Sequence, residues 1–152
     1  MQKLTPFLWF DGNAEEAMNF YLSVFETSKA GKLTPGPNGG VLTATINLFG
    51  QEFVLLNGGP QYKFTPAISF LIDCETQAEV DRYWDKLTSG GGKEQPCGWL
   101  VDKFGVSWQV VPNVLIRLLT DPDKKKAGRV MNAMLQMKKI DIGALEKAAA
   151  AA

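Results

Sequence analysis

The sequence predicts an α+β fold of two duplicated βαβββ modules, forming a curved, partly open eight-stranded sheet with a C-terminal helical tail. Three observations carry this. First, the chain repeats itself. A shift of 62 residues superposes Asp73 on Asp11, Val80 on Met18, Tyr83 on Tyr21 and Leu87 on Phe25. A shift of 55 superposes Phe104-Gly105 on Phe49-Gly50 and Trp108 on Phe53, the difference reflecting connecting loops of unequal length. Second, stretches of alternating residues flank these Phe-Gly turns, while apolar residues recur at helical spacing elsewhere. Third, one such unit cannot hide both faces of its sheet. Two side by side place helices outside and a concave face inside, where a pocket is expected.

The elements follow in order. Residues 5–10 read as the first strand. Asn13 is placed to cap a helix, with Glu16 at the capping-box position. Ala14, Ala17, Met18, Tyr21, Leu22 and Phe25 make its buried stripe. Residues 32–40 hold two prolines and three glycines and read as a loop. Residues 41–48 and 51–56 form a hairpin about Phe49-Gly50, and Asn57-Gly58-Gly59-Pro60 closes the segment. In the second copy, residues 67–72 are a strand, Thr76 caps a helix with Glu79 in the box, and Val80, Tyr83, Trp84 and Leu87 are its stripe. Asp11 and Asp73 end equivalent strands and are placed to satisfy turn and helix-start amides. Residues 89–92 are a glycine-rich exit that follows a helix, and residues 97–112 are a second hairpin. In the tail, Asn113 is placed to cap a short helix and Asp121-Pro122 to start another. Ala127, Val130, Met131, Met134 and Met137 form an apolar side suited to packing or to a dimer contact, and Asp141 starts a last helix. The chain is thus expected to be one domain over residues 1–152, with modules at about 4–60 and 64–112 and the tail at 113–152.

Composition excludes several classes of function. The 152 residues are 45% hydrophobic, enough for a sizeable core. Sixteen basic residues balance sixteen acidic ones, so neither a nucleic-acid nor a membrane-surface partner is expected. The Lys124-Lys125-Lys126 run reads as a solvated helix face. Neither a long apolar run nor a charged-then-apolar leader is present, which points to a soluble cytoplasmic protein. The two cysteines, Cys74 and Cys97, are too few for a disulfide framework. There is no histidine. Ser-His-Asp and Cys-His nucleophile activation are therefore ruled out within the chain, and the commonest transition-metal ligand is missing.

The 97–112 hairpin is the densest chemistry. Its alternation suggests one face carrying Trp99 and Trp108, with Cys97, Asp102 and Gln109 near them. That mixture reads either as a sheet face packed on a core or as the lining of a small-molecule cavity. Cys97 could serve as a nucleophile or redox thiol, with Asp102 or Asp11 as acid-base group, only if Lys93 or Lys103 lowered its pKa. The alternative is an inert structural thiol.

The segments LWFDGNAEEAMNFYLSVF, LLNGGP, AEVDRYWDKL and CGWLVDKFGVSWQVVP, in this order and spacing, resemble the PhnB-like branch of the vicinal-oxygen-chelate superfamily, from about Leu4 to Pro112. That superfamily includes glyoxalases, extradiol dioxygenases and bleomycin-resistance proteins. The branch is often labelled demethylubiquinone 3-methyltransferase, yet the chain has no strand-loop-helix glycine fingerprint, and no cofactor is expected. The resemblance implies that catalytic relatives hold a divalent ion with one side chain from the first and last strand of each unit. Those places fall near Thr5, Val54, Ala67 and Gln109, with Pro6 and Leu55 no better as ligands. None is a histidine or carboxylate, so no metal site is expected. The resemblance then implies a metal-independent protein that binds a small molecule, or an enzyme acting on one, or a dimeric interaction module. For binding, Trp9, Phe70, Trp99 and Trp108 would supply stacking surface, while Asn57, Asp102 and Gln109 would fix orientation. A homodimer is expected, since closed two-fold dimers dominate soluble oligomers.

Overall fold

The structure, a computed structural model, describes residues 2–151. It is mixed α+β, with eight strands in two four-stranded sheets and neither sheet closed into a barrel. The chain divides into two compact units, one up to Phe64 and one from Thr65 onward.

The first unit runs β1 (Phe7–Phe10), α1 (Ala14–Val24), β2 (Ser28–Pro35), β3 (Val41–Leu48) and β4 (Gln51–Asn57). Its sheet order is β1-β4-β3-β2, with β1 parallel to β4 and the other pairs antiparallel. The second unit repeats this plan. β5 (Ser69–Cys74), α2 (Gln77–Thr88), β6 (Lys93–Glu94), β7 (Trp99–Val101) and β8 (Ser107–Pro112) make a sheet of order β5-β8-β7-β6, with β5 parallel to β8. The duplication read from the sequence is thus reproduced strand for strand.

In each unit one helix covers one sheet face. α1 buries Ala14, Ala17, Met18, Tyr21 and Val24. Beneath it Leu8, Phe10, Ala44, Ile46, Phe53 and Leu55 share one face by register and are all buried. Each large side chain removed from water in this way contributes about 1.5–3 kcal/mol before entropy is charged. α2 does the same with Val80, Tyr83, Trp84 and Leu87 over Ile72, Leu100, Trp108 and Val110. The Trp84 indole N–H donates to Glu94 Oε1 at 2.7 Å, so its polar edge is met inside the unit.

The β3–β4 hairpin turns where expected. Phe49 and Gly50 have φ of 53° and 86°, both left-handed, as a two-residue primed turn requires. Asn47 Oδ1 accepts from Gly50 N at 2.8 Å and holds the turn.

Four expectations change. Residues 32–35 are not loop but the end of β2, an edge strand whose side chains are mostly exposed and whose register shifts between Ala30 and Leu33. An edge strand needs neither apolar alternation nor an N–H at Pro35, which is why the pattern hid it. Asn13 stands at the start of α1 without a side-chain cap bond. The acceptor for Ala14 N is instead Asn57 Oδ1, 2.9 Å away and 43 residues along the chain, while Asn57 Nδ2 donates to Val41 O at 2.9 Å. In the tail, α3 (Asn113–Leu119) has Pro112 at its N-cap position, so Asn113 is already helical. The cap of α4 (Lys124–Met134) is Asp123, which accepts from Lys125 N and Lys126 N at 3.0 and 3.2 Å. Asp121 instead accepts from Asp123 N and pairs with Lys126 at 2.9 Å. Thr76 and Asp141 do cap α2 and α5 (Ile142–Ala150).

The tail has its own core of Val111, Val114, Leu115, Leu118, Val130, Ile140 and Leu145, against which Met134 and Met137 pack. Arg129 closes α5 by donating to Ala148 O and Ala149 O at 2.9 and 2.8 Å, a cation at the negative end of a helix. The segment before α5 is bolted to the sheet. Cys97 N and Gly98 N donate to Met137 O and Lys138 O at 2.8 and 2.7 Å. Gly98 has φ of 83°, and a Cβ there would crowd Val110 O and Ile140. Gln77 reaches the same segment from α2, donating to Ile140 O at 3.0 Å and accepting from Ile142 N at 2.8 Å.

Two single substitutions separate the local cap from the distant one. Asn57→Ala leaves Ala14 N and Val41 O without partners and should lower unfolding stability by about 1–3 kcal/mol in urea. Asn13→Ala removes no side-chain bond and should change it by less than about 0.5 kcal/mol. Equal losses would mean that Asn57 is not the working cap.

Candidate functional site

The register of β7 and β8 decides what the hairpin can present. Trp99 lies opposite Gln109, Leu100 opposite Trp108, and Val101 opposite Ser107. Side chains alternate across a strand, so Trp99, Val101, Ser107 and Gln109 share one face while Leu100 and Trp108 share the other. The two tryptophans are therefore on opposite faces, which corrects the single tryptophan-bearing face expected from alternation. Trp108 is 3% exposed and lies on the α2 side, 5.5 Å from the Phe70 ring. Phe70 pairs directly with Trp108, and so belongs to that face as well.

Asp102 goes with Trp108. It is 3% exposed, and its Oδ1 accepts from Phe104 N and Val106 N at 2.9 and 3.0 Å. Its Oδ2 accepts from Trp108 Nε1 at 2.9 Å. One carboxylate thus closes the β7–β8 turn and ties it to the core. Those bonds engage both oxygens.

The face turned away from α2 is different. Pro66, Gln95, Pro96, Trp99, Val101 and Ser107 line a cavity of about 320 Å³ whose wall is largely apolar. Beside it Gln109 Nε2 donates to Ser69 Oγ at 2.9 Å. Trp99 and Gln109 are thus the two candidate residues that the structure brings together. Ser107 was not singled out from the sequence. The signal was its place two residues before Gln109, on the same face.

The remaining candidates are held within their own units. In the first unit Trp9 donates from Nε1 to Gly59 O at 2.8 Å, and Tyr62 stands edge-on to it at 4.9 Å. A Cβ on Gly58 would collide with the indole, so the Asn57-Gly58-Gly59 turn is what lets Trp9 lie there. Asn57 has both polar atoms engaged in holding α1 and β3. The helix-start amides expected of Asp11 and Asp73 are met by Asn57 and Thr76.

The two thiols lie in different surroundings. Burial pushes the Cys74 pKa up to about 12, helped by the charges of Glu79 and Asp73. Cys97 is half-buried in a left-handed turn position with φ of 62°. Lys103, weighed as its activator, lies over the Phe104 ring at 5.3 Å.

The metal positions of the fold can be tested on their donor sets. Val54 sits in mid-strand opposite Phe7, and neither it nor Ala67 has a side-chain donor atom. The Gln109 amide is bonded to Ser69, and Thr5 Oγ1 accepts from Gln2 Nε2 at 3.4 Å. Among the described residues no group of three or more cysteine, aspartate or glutamate side chains is placed to hold an ion. These residues do not fit a divalent metal.

The fold is that of the glyoxalase/bleomycin-resistance proteins. The fosfomycin resistance protein FosX from Mesorhizobium loti shares it at a TM-score of 0.57 with 11% identity, over 79% of this chain and 99% of that one. So does protein PA1353 from Pseudomonas aeruginosa, at a TM-score of 0.60 with 21% identity, over 74% of this chain and 98% of that one. A PhnB protein from Bacillus cereus is 39% identical over 73% of this chain and 99% of its own, with a TM-score of 0.67. The family model described as 3-demethylubiquinone-9 3-methyltransferase matches residues 2–111. The chain belongs to this family, the PhnB-like branch of the vicinal-oxygen-chelate superfamily. The match stops within β8, so α3, α4 and α5 lie beyond it. No curated protein matches the chain.

Two measurements check the roles assigned here to Asp102 and the thiols. Asp102→Ala strands three buried or half-buried donors and should cost roughly 3 kcal/mol or more in urea unfolding, with loss of the Trp108 near-ultraviolet signal. An unchanged midpoint would show the carboxylate to be idle. In the folded protein a thiol reagent at mild alkaline pH should label Cys97 and spare Cys74, which should react only on unfolding.

Proposed function

We propose that this chain is a metal-independent small-molecule-binding protein of the glyoxalase/bleomycin-resistance superfamily. It would work as one domain over residues 1–152 and as a homodimer in the cytoplasm. The observation that carries this reading is the cavity on the β7–β8 face, where an indole, two prolines and a valine surround a few polar groups. Pockets that bind small hydrophobic or aromatic molecules have this composition. Trp99 and Gln109 are the proposed contacts there, and Trp9 is a separate proposed ligand contact of the first unit. Phe70 and Trp108 would support the site from the core of the second unit rather than touch the ligand, while Asn57 holds α1 and β3 in the first.

Metal independence is supported by the donor chemistry at Thr5, Val54, Ala67 and Gln109. Dimerisation is supported by apolar side chains left exposed on the sheet faces turned away from α1 and α2, Phe7 at 61% and Leu71 at 53%. The unpaired cysteines suit a reducing compartment. Among the described residues no helix is long and apolar enough to cross a membrane. The family description suggests methyl transfer. Against S-adenosylmethionine binding, the β1–α1 junction is Asp11-Gly12-Asn13 and the β5–α2 junction is Glu75-Thr76, and neither is a glycine-rich dinucleotide-type turn.

Native mass spectrometry with and without a chelator should give one dimer mass, unchanged by the chelator. A divalent ion lost on chelation would overturn metal independence and restore glyoxalase-type chemistry. Added S-adenosylmethionine should leave Tm unmoved. A rise of several degrees would favour the methyltransferase reading.

A further inference from the structure

Gln95 and Ser107 are the polar side chains among the residues that line the cavity, and Ser107 is the buried one. Ser107 is 2% exposed, and among the described residues its Oγ has no hydrogen-bond partner. Buried hydroxyls are nearly always paired, and one that is not carries its full desolvation penalty. Ser107 stands on the cavity face, opposite Val101 on one side and Ser69 on the other. It lines the cavity together with Trp99.

Resting on the binding role proposed above, we infer that the ligand is a neutral one- or two-ring molecule carrying a hydrogen-bonding oxygen, which Ser107 Oγ receives. The charge follows from the wall: no aspartate, glutamate, lysine or arginine lines the cavity. Of the carboxylates adjacent in sequence to the wall, Asp102 bonds to the turn amides and to Trp108 on the opposite face, and Glu94 accepts from the Trp84 indole N–H. The size follows from a volume of about 320 Å³, near the lower end for small-molecule pockets. The oxygen follows from the serine hydroxyl, which donates and accepts, and so suits a ligand hydroxyl or carbonyl. Trp99 and the two prolines then cover the ring.

The test uses the full chain labelled with nitrogen-15. The Trp99 indole N–H signal, assigned with Trp99→Phe, is followed during titration with 4-ethylphenol, ethylbenzene and 4-ethylbenzoate. The phenol should bind about tenfold tighter than ethylbenzene, the worth of one buried hydrogen bond. Ser107→Ala should erase that tenfold preference while leaving ethylbenzene affinity unchanged. The same variant should melt at or above the wild-type temperature, because it removes an unpartnered buried hydroxyl. A fall in Tm would mean that Ser107 serves the fold instead and would overturn the inference. Equal binding of phenol and ethylbenzene, untouched by Ser107→Ala, would overturn it while leaving the cavity as a binding site. Benzoate binding as tight as the phenol would overturn the neutral class. If none of the three moves the Trp99 signal, the cavity reading falls with it.

Discussion

A four-stranded sheet has two faces, and the helix that follows its first strand, α1 or α2, covers only one of them. This inequality governs the molecule. α1 and α2 bury one face each, and the strands answer with Leu8, Ala44, Ile46 and Leu55 in one unit and with Ile72, Leu100, Trp108 and Val110 in the other. The opposite faces keep half-buried or exposed residues such as Val54, Trp9, Trp99 and Gln109. Because the strand period is two, a residue's parity sorts it either to the core or to the face where binding chemistry is possible.

Few polar side chains hold the units in shape, and each does several jobs. Asp102 gathers two turn amides and an indole N–H. Asn57 starts α1 and pins β3. Gln77 joins α2 to the segment before α5 and donates to Asp81, whose carboxyl it holds below its usual range, aided by Lys139. That last contribution is present above the unfolded-state pKa of about 3.9 and fades as pH falls through the lowered folded value. It is small, because Asp81 is largely exposed.

The same arrangement bears on chemistry. Strand positions that carry ligands in catalytic relatives hold Val54 and Gln109 here, one without a donor and one hydrogen-bonded to Ser69. The cysteines offer no substitute: Cys74 stays protonated under α2, and Cys97 is used as a turn residue docking the tail. What remains on the face of the second sheet turned away from α2 is a largely apolar cavity lined in part by Ser107, whose hydroxyl is unpartnered among the described residues, a surface fit for recognition.

Much of this was legible in the chain. The repeat, the Phe49-Gly50 turn, the stripes of α1 and α2, and the Thr76 and Asp141 caps are local patterns. A local pattern needs only neighbours in sequence to express it. The absence of histidine limited the chemistry before any fold was known. The tertiary structure alone decided the rest, because it turns on pairing between distant strands. A hairpin slipped by one residue would have put Trp99 and Trp108 together; the pairing of Leu100 with Trp108 separates them. The partner of Ala14 N stands 43 residues away, out of reach of any capping rule. The edge strand at residues 32–35 has no apolar rhythm of its own, and only its ladder with β3 makes it a strand. Ser107 is an ordinary residue in the sequence, and burial without a partner is a property only the folded chain can give it.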